Sequence, residues 1–461
     1  MEYKLPPIEV PQDDPFRFDV LERQASVEAI ASLLDEITGP FVLAIDSPWG
    51  TGKTTFIRIL KTFLESKDFV CLYFNAWETD FTTDPLIAFL GELDQLKKNY
   101  KQKDKTLDKT KKIATLLAKR ALPVAGKIAT AGLLDLDAFT EKALADLVSD
   151  AVNDAVDAYA AEKSLIEQFH KSLAESIDKL RVEGKKPQLI MFVDEVDRCR
   201  PTFAVELLER VKHLFSVPNA IFVISLDKQQ LAVSLSAVYG AGINSEEYLR
   251  RFIDLEYALP KVSAKAFTKN LFRRFGFNDF FSARTHSEFG SERELLEETF
   301  NALSDLFGLS LRAREQCFTR IRVAMMTTPK DYHFYPLLLT TLVVLKAAAP
   351  AVYKKYALEG GKANKVTNYL RSANGGEAFL NSRIGSVIEA YLIGARYRDY
   401  EESPEIKHYR EISKSPTTNK EDKERADLII RVTSERSFHD KMPSLAYVVN
   451  KIELAAQFKL D

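Results

Sequence analysis

The stretch AIDSPWGTGKTTF, residues 44–56, constrains the fold of this chain more than any other segment. It joins an apolar run, Phe41–Asp46, to an amphipathic segment, TTFIRILKTFLESK, and a second apolar run, Phe69–Phe74, follows. A strand, a loop, a helix and a strand in this order form a βαβ unit. Parallel strands that are joined in this way lie in a sheet whose faces are covered by helices. The sequence therefore predicts an α/β fold.

Three further apolar runs extend the predicted sheet: Gln188–Asp194, Ala220–Asp227 and Asp254–Pro260. The first two are apolar on both faces, as strands inside a parallel sheet are. Residues 84–187 separate the second run of the chain from the third and contain no strand pattern. Their helical periodicity predicts a long helical insertion, and the pattern from about Val262 onward predicts an all-helical C-terminal region.

Residues 47–54 match the phosphate-binding loop GxxxxGK[ST] except at the first position, where Ser47 replaces glycine. In such a loop main-chain N–H groups surround phosphate oxygens at the start of a helix, and glycines such as Gly50 and Gly52 permit the close approach. The motif assigns the β- and γ-phosphates to Lys53 and a Mg²⁺ ligand to Thr54. A small serine is suited to begin the turn. The predicted nucleotide-binding residues are Pro48, Trp49, Gly50, Thr51, Gly52, Lys53, Thr54 and Thr55.

An acidic motif ends the third predicted strand, because the apolar run LIMFV leads directly into Asp194 and Glu195. A carboxylate at the carboxyl end of this strand can hold Mg²⁺, so Asp194 and Thr54 are the predicted metal ligands. Glu195 is then placed to act as the general base toward an attacking water. The predicted catalytic residues are Lys53, Asp194 and Glu195.

Five further residues are candidates for sensing the bound nucleotide. Ser225 and Asp227 close the fourth predicted strand, where a polar group can sense the γ-phosphate or, at Asp227, cap the following helix. Arg250 and Arg251 are candidates for reaching phosphates within the chain or across a subunit interface, or for lying on a solvated helix face. Arg312 is a candidate lid arginine.

Composition argues against several other classes of protein. The net charge of −2 over 461 residues offers no overall attraction to nucleic acid or to an anionic membrane. The three cysteines are far apart and lack zinc-ligand spacing, which fits a reducing compartment. Residues 1–19 do not resemble a secretory signal, and the longest apolar run, YPLLLTTLVVLKAAAPAVY, is interrupted by a lysine and a proline. We expect a soluble, cytoplasmic protein without membrane contact.

Several motifs in order resemble the KAP family of P-loop NTPases, a branch of the ASCE ATPases near the STAND and AAA+ ATPases. They are FDVLERQASVEAIASLL, DSPWGTGKTTF, YFNAWETD with Asn75 and Trp77, FVDEVDRCRP with Asp197 and Arg198, FVISLDKQQL and YLRRFIDLEYALP. The resemblance covers about residues 18–262, and a separate segment, Leu309–Arg322, also resembles the family. Many members have a second aspartate where this chain has glutamate after Asp194, and glutamate serves as well as a base.

The resemblance implies ATP as the nucleotide, nucleotide-driven switching and frequent oligomerisation. In bacterial members it implies a frequent role in excluding phage or mobile elements. Members of the family often carry transmembrane helices between the second and third strands, whereas the charges of this segment imply a soluble, bacterial-type member. The favoured function is therefore a Mg²⁺-dependent ATPase switch that is read by a homo-oligomer, a separate effector protein or both.

Two alternative functions remain open from the sequence. The run Lys97–Lys112 holds eight lysines against two aspartates, which would suit a nucleic-acid-stimulated motor or sensor, although such a run is more often a solvated loop. A small-molecule kinase shares the phosphate-binding loop, but the long insertion and the extended acidic motif argue against it.

Together with the resemblance, the sequence predicts a P-loop core whose parallel strands lie in the order 5-1-4-3-2. The expected boundaries are a leader at 1–17, the two parts of the core at 18–95 and 188–262, a helical insertion with a basic hinge at 96–187, and a helical lid or C-terminal domain at 263–461.

Overall fold

A computed structural model of the protein describes residues 9–82, 84–89, 91–92, 105–121, 155–182, 184–260, 264–282, 292–329, 334–397, 403–438 and 444–453. The chain forms two compact units, an N-terminal unit within residues 8–261 and a second unit within residues 262–461.

The N-terminal unit contains every described strand. The strands are β1 (Phe41–Asp46), β2 (Val70–Asn75), β3 (Leu189–Asp194), β4 (Ala220–Leu226) and β5 (Leu255–Ala258). The helices are α1 (Gln24–Glu36), α2 (Lys53–Ser66), α3 (Ala76–Thr79), α4 (Lys105–Ala121), α5 (Ala155–Val182), α6 (Pro201–Leu214), α7 (Lys228–Tyr239) and α8 (Ser245–Leu249), with a 3-10 turn at Val196–Arg198.

The five strands form one parallel sheet in the order β2-β3-β4-β1-β5, which confirms the predicted fold class and strand order. After β1 the chain passes over β3 and β4 to reach the far edge at β2, while β5 lies on the other side of β1. The strand order therefore changes direction at β1. In open parallel sheets, ligands bind outside the carboxyl ends of the strands at such a point.

Helices cover both faces of the sheet, because alternate residues of the inner strands are apolar toward each side. One face carries an aromatic cluster of Phe74, Phe215 and Phe222. Phe89 and Phe169, which come from the segment between β2 and β3, pack into this cluster. On the other face, residues such as Leu43, Ile45, Phe192 and Val223 pack against the apolar sides of α1 and α2. Burial from two sides explains why these strands are nearly continuous in apolar residues.

The described parts of the segment between β2 and β3 are helical. Helices α4 and α5 pack together, with Leu107, Ile113 and Leu117 buried in the core of the unit. Of the lysine-rich run, residues 97–104 lie outside the described part of the chain. Lys109 and Lys112 lie on α4 and are exposed, as on an ordinary amphipathic helix.

All the regular elements described after β5 are helices, and they form the second unit. They are α9 (Ala264–Arg274), α10 (Phe277–Ser282), α11 (Glu292–Leu306), α12 (Leu311–Met326), α13 (Pro336–Ala348), α14 (Pro350–Ala357), α15 (Ala363–Ser372), α16 (Gly376–Asn381), α17 (Arg383–Gly394), α18 (Pro404–Lys414), α19 (Lys420–Phe438) and α20 (Leu445–Glu453). Helix α13 comes from the longest apolar run and is buried from Pro336 to Leu345 among α11, α12, α17 and α20. Across the described ranges, no helix is both long enough and apolar enough to cross a bilayer.

Candidate functional site

The loop between β1 and α2 has the backbone that phosphate binding requires. Gly50 and Gly52 adopt φ values of 77° and 89°, in the left-handed region that side chains disfavour. Helix α2 begins at Lys53, and the amide of Phe56 closes its first turn by donating to the carbonyl of Gly52. Gly52 has no side chain with which to cap the earlier amides, so the N-terminal end of α2 keeps its N–H groups and positive dipole for an anion.

Ser47 fits the loop because its position does not require glycine. Its φ is not among the positive values in the chain, and its amide donates to the carbonyl of Leu226 at 3.2 Å. The Ser47 hydroxyl donates to Oγ1 of Thr51 at 2.8 Å, and the Thr51 hydroxyl donates to the carbonyl of Pro48, also at 2.8 Å. Two hydroxyl groups therefore connect the start of the loop to its far side.

Lys53 places a nearly buried ammonium group inside the loop. Its Nζ donates to the carbonyl of Ser47 and lies 4.0 Å from Oδ2 of Asp197. Burial lowers the pKa of the Lys53 ammonium, and the negative charge of Asp197 is the largest effect that opposes this shift. The carbonyl of Ser47 and the carboxylate of Asp197 therefore hold the ammonium in the loop. A phosphate oxygen is able to replace either of these partners.

Trp49 connects the loop to the ends of two other strands. Its indole N–H donates to Oδ2 of Asp197, and its amide donates to Oδ2 of Asp227 at 3.2 Å. Burial raises the pKa of Asp197, while the charge of Lys53 and the hydrogen bond from Trp49 act in the opposite direction. Asp197 and Asp227 therefore both contact the loop directly, although the sequence assigned Asp197 no role of its own.

The two predicted acidic residues lie at the carboxyl end of β3. Asp194 is buried and accepts from the hydroxyl of Tyr73 at 3.0 Å and from the amide of Glu195 at 2.9 Å. Glu195 has a φ of 62°, so it occupies the left-handed region without being glycine. Its carboxylate contacts Arg198 at 2.6 Å and accepts from Nδ2 of Asn75 at 3.5 Å.

Arg23 is a loop-contacting residue that the sequence analysis missed. Its guanidinium donates to the carbonyl of Thr51 at 2.9 Å and to the carbonyl of Gly52 at 3.3 Å, and it lies over the ring of Phe56. Burial lowers the pKa of Arg23. In the sequence Arg23 is one residue of the motif FDVLERQASVEAIASLL, and nothing in that position indicates which carbonyls it contacts.

Ser225 and Asp227 lie at the end of β4 in different environments. Ser225 is fully buried, and its hydroxyl has no hydrogen-bond partner within the described residues. Asp227 caps α7 by accepting from the amides of Gln229 and Gln230, both at 3.2 Å. Asp227 also accepts from the amide of Trp49 in the loop. The same carboxylate therefore caps α7 and contacts the loop.

The arginine candidates are all exposed. Arg250 pairs with Glu247 at 3.2 Å, and Arg251 lies over the ring of Tyr248. Arg312 lies on α12 in the second unit. These contacts do not join the arginines to the loop. A role in sensing the nucleotide for Arg250, Arg251 or Arg312 stays a prediction.

The residues present fit a nucleoside triphosphate with Mg²⁺. Thr54 and Thr55 lie on the first turn of α2, next to Lys53, and Asp194 lies at the end of β3. Magnesium commonly uses one or two protein ligands, together with substrate phosphates and water. The described part of the chain holds no cluster of three or more His, Cys, Asp or Glu residues that could bind a metal ion.

Comparison with known proteins gives one family. The model of the KAP family P-loop domain matches residues 23–327. An uncharacterized protein of Methanocaldococcus jannaschii is 31% identical over an alignment of 176 residues, and the match covers 33% of this chain and 88% of that protein.

Solved structures of the Aeropyrum pernix ORC2 protein are also similar. Its ADPNP-ADP complexes give a TM-score of 0.36 at 13% identity, with 90% of this chain and 95% of that chain covered. Its ADP form gives a TM-score of 0.33 at 13% identity, with 99% and 97% covered.

The left-handed backbone at Glu195 yields a prediction about stability. Glu195→Gly and Glu195→Ala both remove the carboxylate, but only glycine adopts a φ of 62° without strain. The left-handed strain at alanine is about 1–2 kcal/mol, and the larger unfolded-state entropy of glycine offsets about 0.4–1 kcal/mol of it. We expect the glycine variant to be more stable by roughly 0.5–1 kcal/mol, measured by urea denaturation. Equal stability, or a more stable alanine variant, would show that Glu195 is not held in this conformation.

Proposed function

Since the chain belongs to the KAP family of P-loop proteins, we propose that it is a Mg²⁺-dependent ATPase that works as a conformational switch. The observation that carries the proposal is the nearly buried Lys53 ammonium beside Asp197, at the uncapped N-terminal end of α2. A cation, free helix amides and carboxylates at neighbouring strand ends are the groups that phosphoryl transfer to water uses.

Each residue has a chemical role in this proposal. Lys53 and the first amides of α2 bind phosphate oxygens, with Gly50 and Gly52 allowing the backbone to come close. Thr54 and Asp194 hold Mg²⁺. When bound, ATP with Mg²⁺ supplies the γ-phosphoryl group that is transferred to water.

Glu195 has a separate role from the residues that bind the nucleotide. It orients the water and accepts its proton on a carboxylate oxygen. Asp197 positions Lys53 and Trp49 by contacting both of them.

Removing the ammonium of Lys53 tests the reaction. Lys53→Met keeps the length and apolar stem of the side chain but removes the charge, so we expect hydrolysis of ATP to fall at least a hundredfold, on the order of what one transition-state contact provides. The matched control is Lys61→Met on the same helix, which removes an ammonium that pairs with Glu65. Phosphate release in the presence of Mg²⁺ measures both. If the two variants hydrolyse ATP equally fast, the assignment of Lys53 is wrong.

We also propose that the nucleotide state controls assembly. The described helices of the second unit hold no cluster of metal-binding side chains, which favours an output through conformation or a partner. Glu195→Gln removes the proposed base while leaving the loop intact, so it traps the ATP-bound state. With ATP and Mg²⁺ we expect mass photometry to show a larger species that Glu195→Gln retains and wild type loses as ATP is consumed. A single, unchanged mass for both proteins would argue for a separate effector.

The proposed biological setting is bacterial defence against phage or mobile elements. Its support is the role implied by resemblance to bacterial members of the family, which is an analogy at the level of the fold. We expect cells that produce the wild-type chain to give fewer phage plaques than cells that produce Lys53→Met at equal protein level. Equal plaque counts over a broad phage panel would contradict this setting.

A further inference from the structure

Glu195, the proposed base, is held by a chain of side-chain contacts that leads to the surface. Its carboxylate contacts the guanidinium of Arg198 at 2.6 Å and the amide of Asn75 at 3.5 Å. The same guanidinium lies over the ring of Trp77, 5.5 Å from the centroid. Arg198 therefore bridges a buried carboxylate and an aromatic ring.

Burial decreases outward along this chain of contacts. The side chains of Glu195 and Arg198 are 13% and 23% exposed, whereas Trp77 is 53% exposed. The guanidinium is thus largely shielded from water and salt, and such pairs are screened less than surface pairs. A cation over an indole face adds a second attraction.

Arg198 and its neighbour Asp197 contact different parts of the molecule. Within the 3-10 turn at Val196–Arg198, Asp197 contacts Trp49 and Lys53 of the loop, while Arg198 contacts Glu195 and Trp77. Arg198 and Asn75 both hold the Glu195 carboxylate from the side of β2 and α3.

The backbone that carries the ring is held by a helix cap. Trp77 lies on α3, whose first turn is capped by Asn75 accepting from the amides of Trp77 and Glu78 at 3.1 Å and 3.3 Å. Since Asn75 also contacts Glu195, one residue caps the helix that carries the ring and contacts the carboxylate.

We propose that Arg198 is a positioning residue that restrains the Glu195 carboxylate on the β2 side, with Trp77 as its support. The restraint limits how often Glu195 is free to orient a water and accept its proton, so Arg198 sets the basal hydrolysis rate. This proposal rests on the proposed ATPase function.

The contact is tested first without any nucleotide. The chain has two tryptophans, so in a Trp49→Phe background, excited selectively at the tryptophan band, the tryptophan emission comes from Trp77 alone. We expect Arg198→Gln and Glu195→Gln each to change the emission maximum and acrylamide quenching of Trp77, and the double variant to add nothing further. The control is Glu78→Gln, which removes a neighbouring carboxylate and should change neither property. If Glu195→Gln leaves the emission of Trp77 unaltered while Arg198→Gln changes it, Glu195 does not hold Arg198 and the proposal fails.

The second test separates kcat from nucleotide affinity. In the chain with both tryptophans, Arg198→Gln and Arg198→Ala should raise kcat about two- to fivefold, as expected for loss of one ion pair, with KM for ATP within about twofold of wild type. Arg198→Lys retains the charge without the planar group and should give a smaller rise. Arg17→Ala is the control, because it removes another i,i+3 pair, with Asp14, at an exposed position.

The outcomes distinguish this proposal from the one on which it rests. A wild-type chain that hydrolyses no ATP overturns the proposed function. An active wild type whose two Arg198 variants show unchanged or lower kcat overturns only the role of Arg198. Because glutamine keeps the Cβ–Cγ–Cδ stem and a polar end but loses the charge, Arg198→Gln tests the role even where alanine destabilises the fold.

Discussion

A nearly buried positive charge at the carboxyl end of a parallel sheet organises the candidate site. Lys53 is tolerated there because it lies beside Asp197 and donates to the carbonyl of Ser47. A buried ammonium without such partners would be strongly unfavourable. The loop, the 3-10 turn after β3 and the end of β4 are therefore linked by charge and hydrogen bonds around this one group, through Trp49 and Asp227.

Much of this arrangement could be predicted from the sequence, because it depends on backbone periodicity and glycine chemistry. Apolar runs located the five strands to within about two residues at each end, and the family resemblance supplied their order. The positions of Gly50, Gly52 and Lys53 follow from the motif, since a left-handed backbone before a helix needs glycine. The replacement of glycine by Ser47 was also understandable, because the first position has an ordinary backbone.

The remaining contacts could not be predicted, because they depend on the direction of individual side chains. The left-handed Glu195 turns the chain so that its next residues contact different parts of the molecule, Asp197 the loop and Arg198 the ring of Trp77. Neither strand nor helix periodicity encodes such a turn. Asn75 is the last residue of β2 and caps α3, but its contact with Glu195 joins residues 120 positions apart.

Arg23 has a consequence for where the nucleotide-binding unit begins. It precedes α1, its amide donates to Asp19 at 2.6 Å, and its guanidinium donates to two carbonyls of the loop. A fragment cut at the first residue of α1 would contain every predicted site residue and yet leave the carbonyls of Thr51 and Gly52 without these donors. The smallest recombinant piece suited to ligand studies therefore starts before Asp19, on the N-terminal side of the first recognisable helix.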